Sequence, residues 1–312
     1  MQNHREIKKV AVIGGGLIGM SWASLFLARG VDVIVVDPRD EVKDELNDFV
    51  AKAWPLLSDL GLTTSTVIRQ AQVTEHIANL TDIDFVQENG PDRIDVKQQL
   101  IEQLEQVIAS DVVIASSTSS LKASDIQSQA QHPERILVGH PMNPPHMVPM
   151  VELVPGKKTT EQTLQIAEAF YQQMERVTIR VKKEVVGHLA NRLTSALYRE
   201  AVYIAAEGIA DVEDIDKAIT YGPGMRWAFI GPHLTYHLGG GAGGYQHYLD
   251  HLGPTQEARW KDHGTASLTD EVKATLVAGI EKELETQDRE TLSQRRDQAL
   301  VEIFKLKQRF GF

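Results

Sequence analysis

Short β-branched runs alternate with amphipathic stretches through the first 180 residues. The runs are Val10–Ile13, Val33–Val36, Ile83–Val86, Val112–Ala115, Ile136–Val138, Val151–Val154 and Val177–Val181. Several are apolar at every position, as strands buried on both faces of a parallel sheet must be. Between them the pattern predicts helices. Leu17–Ala28 closes on Arg29-Gly30, a cation followed by a C′ glycine. Asp40–Leu60 follows, with a break expected at Pro55, then Asp95–Ala109, Ala123–Ala130 and Glu161–Met174. Strand–helix alternation predicts a doubly wound α/β domain.

After about Lys183 the texture changes. Leu189, Leu193, Ala196, Leu197, Ala201, Ile204 and Ala205 recur at three- and four-residue spacing, predicting one helix over His188–Glu207. Helical patterns continue at Asp214–Ile219, Tyr245–Leu252, Thr269–Glu285 and Thr291–Arg309. A Gly/Pro/aromatic stretch, Tyr221–Gly244, is expected to interrupt them. The expected organisation is an α/β domain over 1–184 and a mainly α-helical domain over 185–312.

The length of 312 residues agrees with two domains, at about 150 residues each. A net charge of −11 sets the surface against phosphate backbones and anionic lipid, so neither nucleic acid nor membrane is an expected partner. The absence of cysteine excludes disulfides, thiolate catalysis and Cys-ligated metal. Met1–Lys9 is polar, no apolar leader follows, and no run is long enough to span a bilayer. The expected location is the cytoplasm.

Gly14-Gly15-Gly16-Leu17-Ile18-Gly19 fits GxGxxG between a strand and a helix, and Asp37 closes the next strand. Gly14 permits the tight turn. Gly16 lets a pyrophosphate approach the backbone and the helix N-terminus. Gly19 lets helix and strand pack closely. Asp37 can accept from a ribose diol and repels a 2′-phosphate, so NAD is the expected cofactor, with nearby Arg39 weakening that preference slightly. The fold expected is therefore a Rossmann-type sheet followed by a helical domain.

Removing hydride from a secondary alcohol requires a base, and imidazole held by a carboxylate suits this near neutral pH. Among 11 histidines, His140 stands at the carboxyl end of a strand, where open α/β sheets bind ligands. Glu152 lies inside an apolar run, where a carboxylate is costly unless paired. Read from position alone, a structural histidine and a salt-bridged glutamate remain open alternatives.

Five segments, in order, resemble a known family: Gly14–Gly19, Ser116-Ser117-Thr118-Ser119-Ser120-Leu121, Gly139-His140-Pro141-Met142-Asn143-Pro144, Val151-Glu152-Leu153-Val154 and Asn191-Arg192-Leu193. The chain is similar, over roughly 8–260, to the short-chain L-3-hydroxyacyl-CoA dehydrogenases. Within them it resembles the free-acid subgroup of L-carnitine and L-gulonate 3-dehydrogenases, the lambda-crystallin relatives. The resemblance implies that His140 is the general base, oriented by Glu152, and that Ser119 and Asn191 bond the reacting oxygen. It implies that Glu88 and Lys97 lie near the nicotinamide half of NAD, alongside Leu17 and Ile18 of the glycine motif. It further implies a site between the domains and a homodimer formed through the helical one. The chain departs from the family in carrying Ser117 where asparagine is usual, and in Gly224–Pro232 where a short Pro-Met-Gly-Pro segment is usual.

That segment supplies candidate substrate contacts: Arg226 for a carboxylate, with Trp227, Phe229 and Tyr236. Seven aromatics gather within 221–260, as a cage for a quaternary ammonium, helix packing or a dimer interface would each require. The resemblance favours oxidation of L-carnitine to 3-dehydrocarnitine. L-gulonate, a 3-hydroxyacyl-CoA, and a non-catalytic NAD-binding structural role stand as alternatives. His233 with His237, and His247 with His251, have i,i+4 spacing, but no metal is expected because this chemistry needs none.

Overall fold

The protein is described by a computed structural model, which covers residues 6–285 and 287–312. The first five residues of the polar stretch Met1–Lys9 lie outside the described residues. The chain divides into two compact units, Met1–Arg192 and Leu193–Phe312.

The first unit follows the order β1 (Lys9–Ile13), α1 (Leu17–Ala28), β2 (Asp32–Val36), α2 (Val42–Asp59), β3 (Gln72–Thr74), β4 (Phe85–Glu88) and α3 (Ile94–Glu105). It continues with β5 (Val113–Ser116), α4 (Ala123–Ile126), β6 (Ile136–Pro141), β7 (Met150–Pro155), α5 (Glu161–Gln173) and β8 (Val177–Arg180). One sheet holds all eight strands in the order β3-β2-β1-β4-β5-β6-β7-β8. Every pairing is parallel except β6 with β7, which is antiparallel. The crossover between β3 and β4 moves the chain from one side of β1 to the other, so β1 and β4 flank the switch point where such sheets bind ligands.

β4, β5 and β6 are buried at every residue and β1 at all but its first, which explains their apolar runs. One sheet face packs Ile13, Val36, Ile101, Leu104, Ile114 and Ile126 together. Elsewhere in the core, Phe85 lies against Phe170, ring centroids 4.5 Å apart, and Trp22 stacks on Phe26 at 5.3 Å. α1 is buried from Gly19 to Ala28, and Gly30 reverses the chain with φ 87°.

Structure and expectation differ at two places in this unit. Pro55 does not break α2. It lies on the exposed face, where the carbonyl of Ala51 that loses its donor can reach water, while Val50, Ala53, Trp54 and Leu57 hold the buried face. β3 was not expected, being a three-residue edge strand with polar ends.

In the second unit α6 (Ala190–Ala206), which begins in the first, leads to α7 (Val212–Thr220), α8 (Pro223–Trp227), α9 (Pro232–Gly239), α10 (Gly244–Asp262), α11 (Asp270–Glu283) and α12 (Arg289–Phe310). The expected interruption over Tyr221–Gly244 is largely helical. Pro223 and Pro232 each open a helix after a glycine N-cap, where a missing N–H costs nothing and a fixed φ helps. Among the described residues no helix is long and apolar enough to cross a membrane.

Candidate active site

At the amino end of α1 the glycine turn has the shape its sequence requires. Gly14 has φ 93°, donates to the Val36 carbonyl at 2.8 Å, and could carry a Cβ only 2.8 Å from the Asn89 carbonyl oxygen. A Cβ on Gly19 would collide with the Gly14 carbonyl. A Cβ on Gly16 would meet nothing within 4 Å, so this glycine borders open space at an N-terminus with no side-chain cap. Leu17 is exposed there. Asp37 accepts from the Gly15 amide at 2.7 Å through one carboxylate oxygen. Its other oxygen accepts from the Arg39 amide at 3.0 Å and from Nε at 3.1 Å. Arg39 also pairs with Glu45 at 3.1 Å, so its charge is already answered.

Beside this turn a cavity of about 770 Å³ is lined by Asp37, Pro38, Arg39 and the apolar Ile13, Ile77, Ala78, Val96, Leu100 and Val107. An apolar slot at the strand ends, a carboxylate at its mouth and an open helix N-terminus match the adenine, ribose and pyrophosphate of NAD in turn.

Glu88 ends β4 and Lys97 lies in the first turn of α3, both 1% exposed. Lys97 Nζ donates to both Glu88 oxygens, at 3.0 and 2.8 Å, and to the Gly90 carbonyl at 3.0 Å, which uses all its protons. Glu88 also accepts from Ser116 Oγ at 2.5 Å and Gly90 N at 2.6 Å. Neither residue is the exposed surface group that its type most often is. Together they form a saturated buried pair beneath the site.

His140 and Glu152 are register partners across the antiparallel β6–β7 pair, so their side chains share one sheet face. His140 Nδ1 donates to Glu152 Oε2 at 2.7 Å. Glu152 Oε1 accepts from the amides of Leu189 and Ala190, at 2.7 and 2.9 Å. Burial would push the Glu152 carboxyl up, but the His140 hydrogen bond and the two amides outweigh it and hold it below the ordinary range. An ionised Glu152 fixes the tautomer of His140 with Nδ1 protonated, which leaves Nε2 as the ring's basic nitrogen.

His140 lines a cavity of about 380 Å³ with Ile18, Asn89, Asp92, Lys97, Ser117, Thr118, Ser119, Met142, Asn143 and Asn191. The structure therefore brings Ile18, Lys97, Ser119, His140 and Asn191 around one space. Ser119 does not cap α4, whose N-cap is Lys122 with no side-chain bond. Its hydroxyl donates to Asp92 at 3.2 Å, and Asn191 Nδ2 donates to the Ser119 carbonyl at 3.4 Å. The variant position Ser117 accepts from Trp22 Nε1 at 3.2 Å and Gln87 Nε2 at 2.9 Å, and donates to Asn89 at 2.7 Å.

Two residues of this site were not singled out from sequence. Asp92 receives hydroxyls from Thr118, Ser119 and Ser120. Burial opposes its ionisation, yet these donors and nearby Lys97 hold its carboxyl below the ordinary range. His188 is buried, with its ring 5.1 Å from that of His140. The only hint in the sequence was a polar aromatic residue after Gly187, immediately before a helix.

The candidate substrate residues belong to the second unit. Arg226 and Trp227 are on α8, with Trp227 41% exposed. Phe229 meets Phe312 edge-on at 5.6 Å, with Lys307 Nζ 5.9 Å from its centroid. Tyr236, on α9, stacks on Tyr248 at 4.4 Å, so packing takes up one of its faces. His233 bonds Tyr245, and His247 lies against His251. No group of three or more possible metal ligands occurs among the described residues.

The chain is similar to known proteins along its length. Residues 9–185 match the family model for the NAD-binding domain of 3-hydroxyacyl-CoA dehydrogenase, and residues 187–273 match that for its C-terminal domain. The L-carnitine dehydrogenase of Streptomyces coelicolor is 39% identical over 312 residues, covering 100% of this chain and 98% of that protein. That of Bacillus cereus is 38% identical over 306 residues, covering 98% and 94%. Among solved structures, the 5-formyl-3-hydroxy-2-methylpyridine 4-carboxylic acid 5-dehydrogenase, an NAD+-dependent dismutase, superposes with a TM-score of 0.84 at 25% identity, covering 97% of this chain and 99% of its own.

Proposed function

This chain belongs to the 3-hydroxyacyl-CoA dehydrogenase family, and from that premise we propose that it oxidises L-carnitine at C3 to 3-dehydrocarnitine. The chain is an NAD-dependent dehydrogenase, and NAD when bound accepts the C3 hydrogen together with its electron pair. The observation that carries the reaction is the buried His140–Glu152 pair at the carboxyl end of β6, with Nε2 left for the cavity. His140 Nε2 takes the hydroxyl proton as the carbonyl forms. Glu152 stays ionised, keeps Nδ1–H in place and stabilises the imidazolium. Asn191 Nδ2 donates to the reacting oxygen through its second N–H, and Ser119 Oγ does so by turning its one proton from Asp92. The glycine turn at Gly14, Gly16 and Gly19, with Leu17, Ile18 and Asp37, holds the dinucleotide, and the Glu88–Lys97 pair supports its nicotinamide end. Asp37 and the neutralised Arg39 favour NAD over its 2′-phosphate.

The substrate assignment is supported by two features. Relatives along the whole chain are named L-carnitine dehydrogenases. The ionised Asp92 at the His140 cavity also suits a cationic substrate. Arg226 clamps the substrate carboxylate, and Trp227, Phe229 and Tyr236 supply aromatic faces to the trimethylammonium. NADH formation with purified protein on L-carnitine, L-gulonate and 3-hydroxybutyryl-CoA tests this. Activity on another compound without activity on carnitine overturns the substrate, and near-wild-type turnover in His140→Ala overturns the base.

We also infer a cytoplasmic homodimer with domains divided near residue 185. Beyond Arg192 only Val202, Ala205, Tyr248 and Val301 are buried apolar side chains among the described residues, while Leu193 (63%), Leu197 (40%) and Ile209 (64%) are exposed. So little burial leaves helices with apolar faces to cover. A monomer by light scattering refutes the dimer.

A further inference from the structure

His188 is the one histidine whose ring lies against that of His140 among the described residues, centroids 5.1 Å apart with planes inclined at 49°. The backbone conformation there is unusual. Gly187 has φ 76° and His188 has φ 49°, a left-handed region that a residue with a Cβ rarely adopts. Such strain persists only where the surroundings impose it, and it collects at functional sites. Its effect is to fold the ring inward, to 1% exposure.

The ring's two nitrogens differ. Nε2 lies 3.0 Å from the Thr118 carbonyl oxygen, which can only accept, so Nε2 carries the proton. Nδ1 is buried with no hydrogen-bond partner. Burial lowers the affinity of this imidazole for a second proton, against the Thr118 carbonyl, which favours it. The charged and titratable groups that act on it are His140, Glu152 and Asp92. With His188 neutral, the proton released by substrate is received by His140 alone. A phenyl ring would fill this space without burying an unpaired nitrogen, so the N–H tether to Thr118 must repay that cost.

The tether joins the loop after β5 to the start of α6. Thr118 precedes Ser119. Leu189 and Ala190, the next two residues, hold Glu152 through their amides, and Asn191 bonds the Ser119 carbonyl. Four consecutive residues, His188 to Asn191, each donate one hydrogen bond into the machinery around His140.

We propose that His188 is a positioning residue for the reaction, its ring wedged against the His140 imidazole and its Nε2–H tied to Thr118, so that base, oxyanion donors and Glu152 are held in one register. This rests on the reading of His140 as the base. The test compares His188→Phe, which keeps the ring and loses the tether, with His188→Gln, which carries an amide donor at the reach of Nε2. Rates are measured with whichever 3-hydroxy acid the wild type oxidises, so an error in the substrate leaves the comparison intact. His188→Phe is expected to lower kcat by about 10- to 100-fold with both KM values within about three-fold, and His188→Gln to recover to within about five-fold of wild type. A His188→Phe kcat within about two-fold of wild type, or equal losses in the two variants, overturns the proposal. If His188→Phe does not fold, His188→Asn, too short to reach Thr118, takes its place with the same outcomes. His140→Ala is run beside them. Its retention of turnover would remove the underlying base assignment, whereas its loss beside an unimpaired His188→Phe removes only the positioning role.

Discussion

Replacing Glu152 by glutamine tests the central pair with a change of few atoms. The wild-type carboxylate accepts three hydrogen bonds: His140 Nδ1 on Oε2, and the Leu189 and Ala190 amides on Oε1. A glutamine has one oxygen and one NH2 group. The two amides are fixed main-chain donors, so they claim the oxygen and the NH2 group turns toward His140. Nδ1 must then accept, Nε2 carries the ring proton, and the base presented to the cavity is gone. The catalytic tautomer returns only if the side chain flips, which strands two buried N–H donors against an NH2 group. At about 1–3 kcal/mol for each unsatisfied donor, the active arrangement lies about 2–6 kcal/mol uphill, a population of roughly one in thirty to one in 10⁴. Loss of the negative charge beside the developing imidazolium adds to this. The expected fall in kcat is on the order of 10³- to 10⁴-fold, as for other carboxylate-to-amide changes at a catalytic imidazole. The assay is steady-state NADH formation, with NAD affinity and the thermal midpoint measured on the same preparation. A folded, NAD-binding Glu152→Gln with kcat within about ten-fold of wild type would refute the tautomer argument.

Two glycines of one motif should fail differently. Gly16→Ala places its methyl in open space, so the fold should hold while the KM for NAD rises by about ten-fold or more, whereas Gly19→Ala drives a methyl into the Gly14 carbonyl and should cost about 1–3 kcal/mol in urea unfolding. Lys97→Met leaves Glu88 buried and unpaired and should cost about 3–5 kcal/mol, most of it recovered in Glu88→Gln/Lys97→Met; a single variant as stable as the double denies the pairing. The pH dependence of stability should come in two stages. Both His188 and Glu152 have folded-state pKa values below their ordinary 6.5 and 4.5, so the unfolded chain binds protons first and stability falls as pH falls below each value in turn. Thermal midpoints from neutral pH downward should show the upper stage vanish in His188→Phe and the lower shrink in Glu152→Gln, where Asp92 still contributes.

What the sequence made legible is what periodicity and spacing encode. α1 occupies Leu17–Ala28 as expected, because burial on nearly every side leaves an apolar pattern, broken only by the small Ser21 and Ser24, between a glycine turn and a C′ glycine. His140 was approachable because ligands meet open sheets at strand ends, and Glu152 because a carboxylate in an apolar run needs a partner. Their direct register was not legible, since a twelve-residue separation does not say that β7 turns back antiparallel in a sheet otherwise read as parallel. The Gly-Pro pairs at 222–223 and 231–232 read as breakers because the same dipeptide ends one helix or starts another, and only the following packing decides. His188 escaped notice because a left-handed backbone, not a hydrophobic period, turns it inward. Asp92 escaped because its partners are hydroxyls from a distant strand end.

The hold on Glu152 from α6 is least visible of all, because its donors are main-chain amides and the side chains of Leu189 and Ala190 have no part in it. Side-chain scanning at these positions would miss it, but proline would not. Ala190 is the first residue of α6, a position where proline suits the helix, and the N–H that proline removes is the one that donates to Glu152 Oε1. In Ala190→Pro the helix should therefore persist while Glu152 Oε1 loses one of its two donors. A charge-assisted bond of about 1.5–3 kcal/mol is removed from the ionised form, which loosens Glu152 and raises its pKa. Turnover should fall by about ten-fold or more with NAD affinity unchanged, and the stability that Glu152 loses on acidification should shrink, its lower pH bound rising toward the ordinary 4.5. Circular dichroism separates this from unfolding. Helix content and kcat both at wild-type level would mean that the start of α6 merely passes beside the catalytic pair, and that Leu189 alone, or the sheet register, holds Glu152 in place.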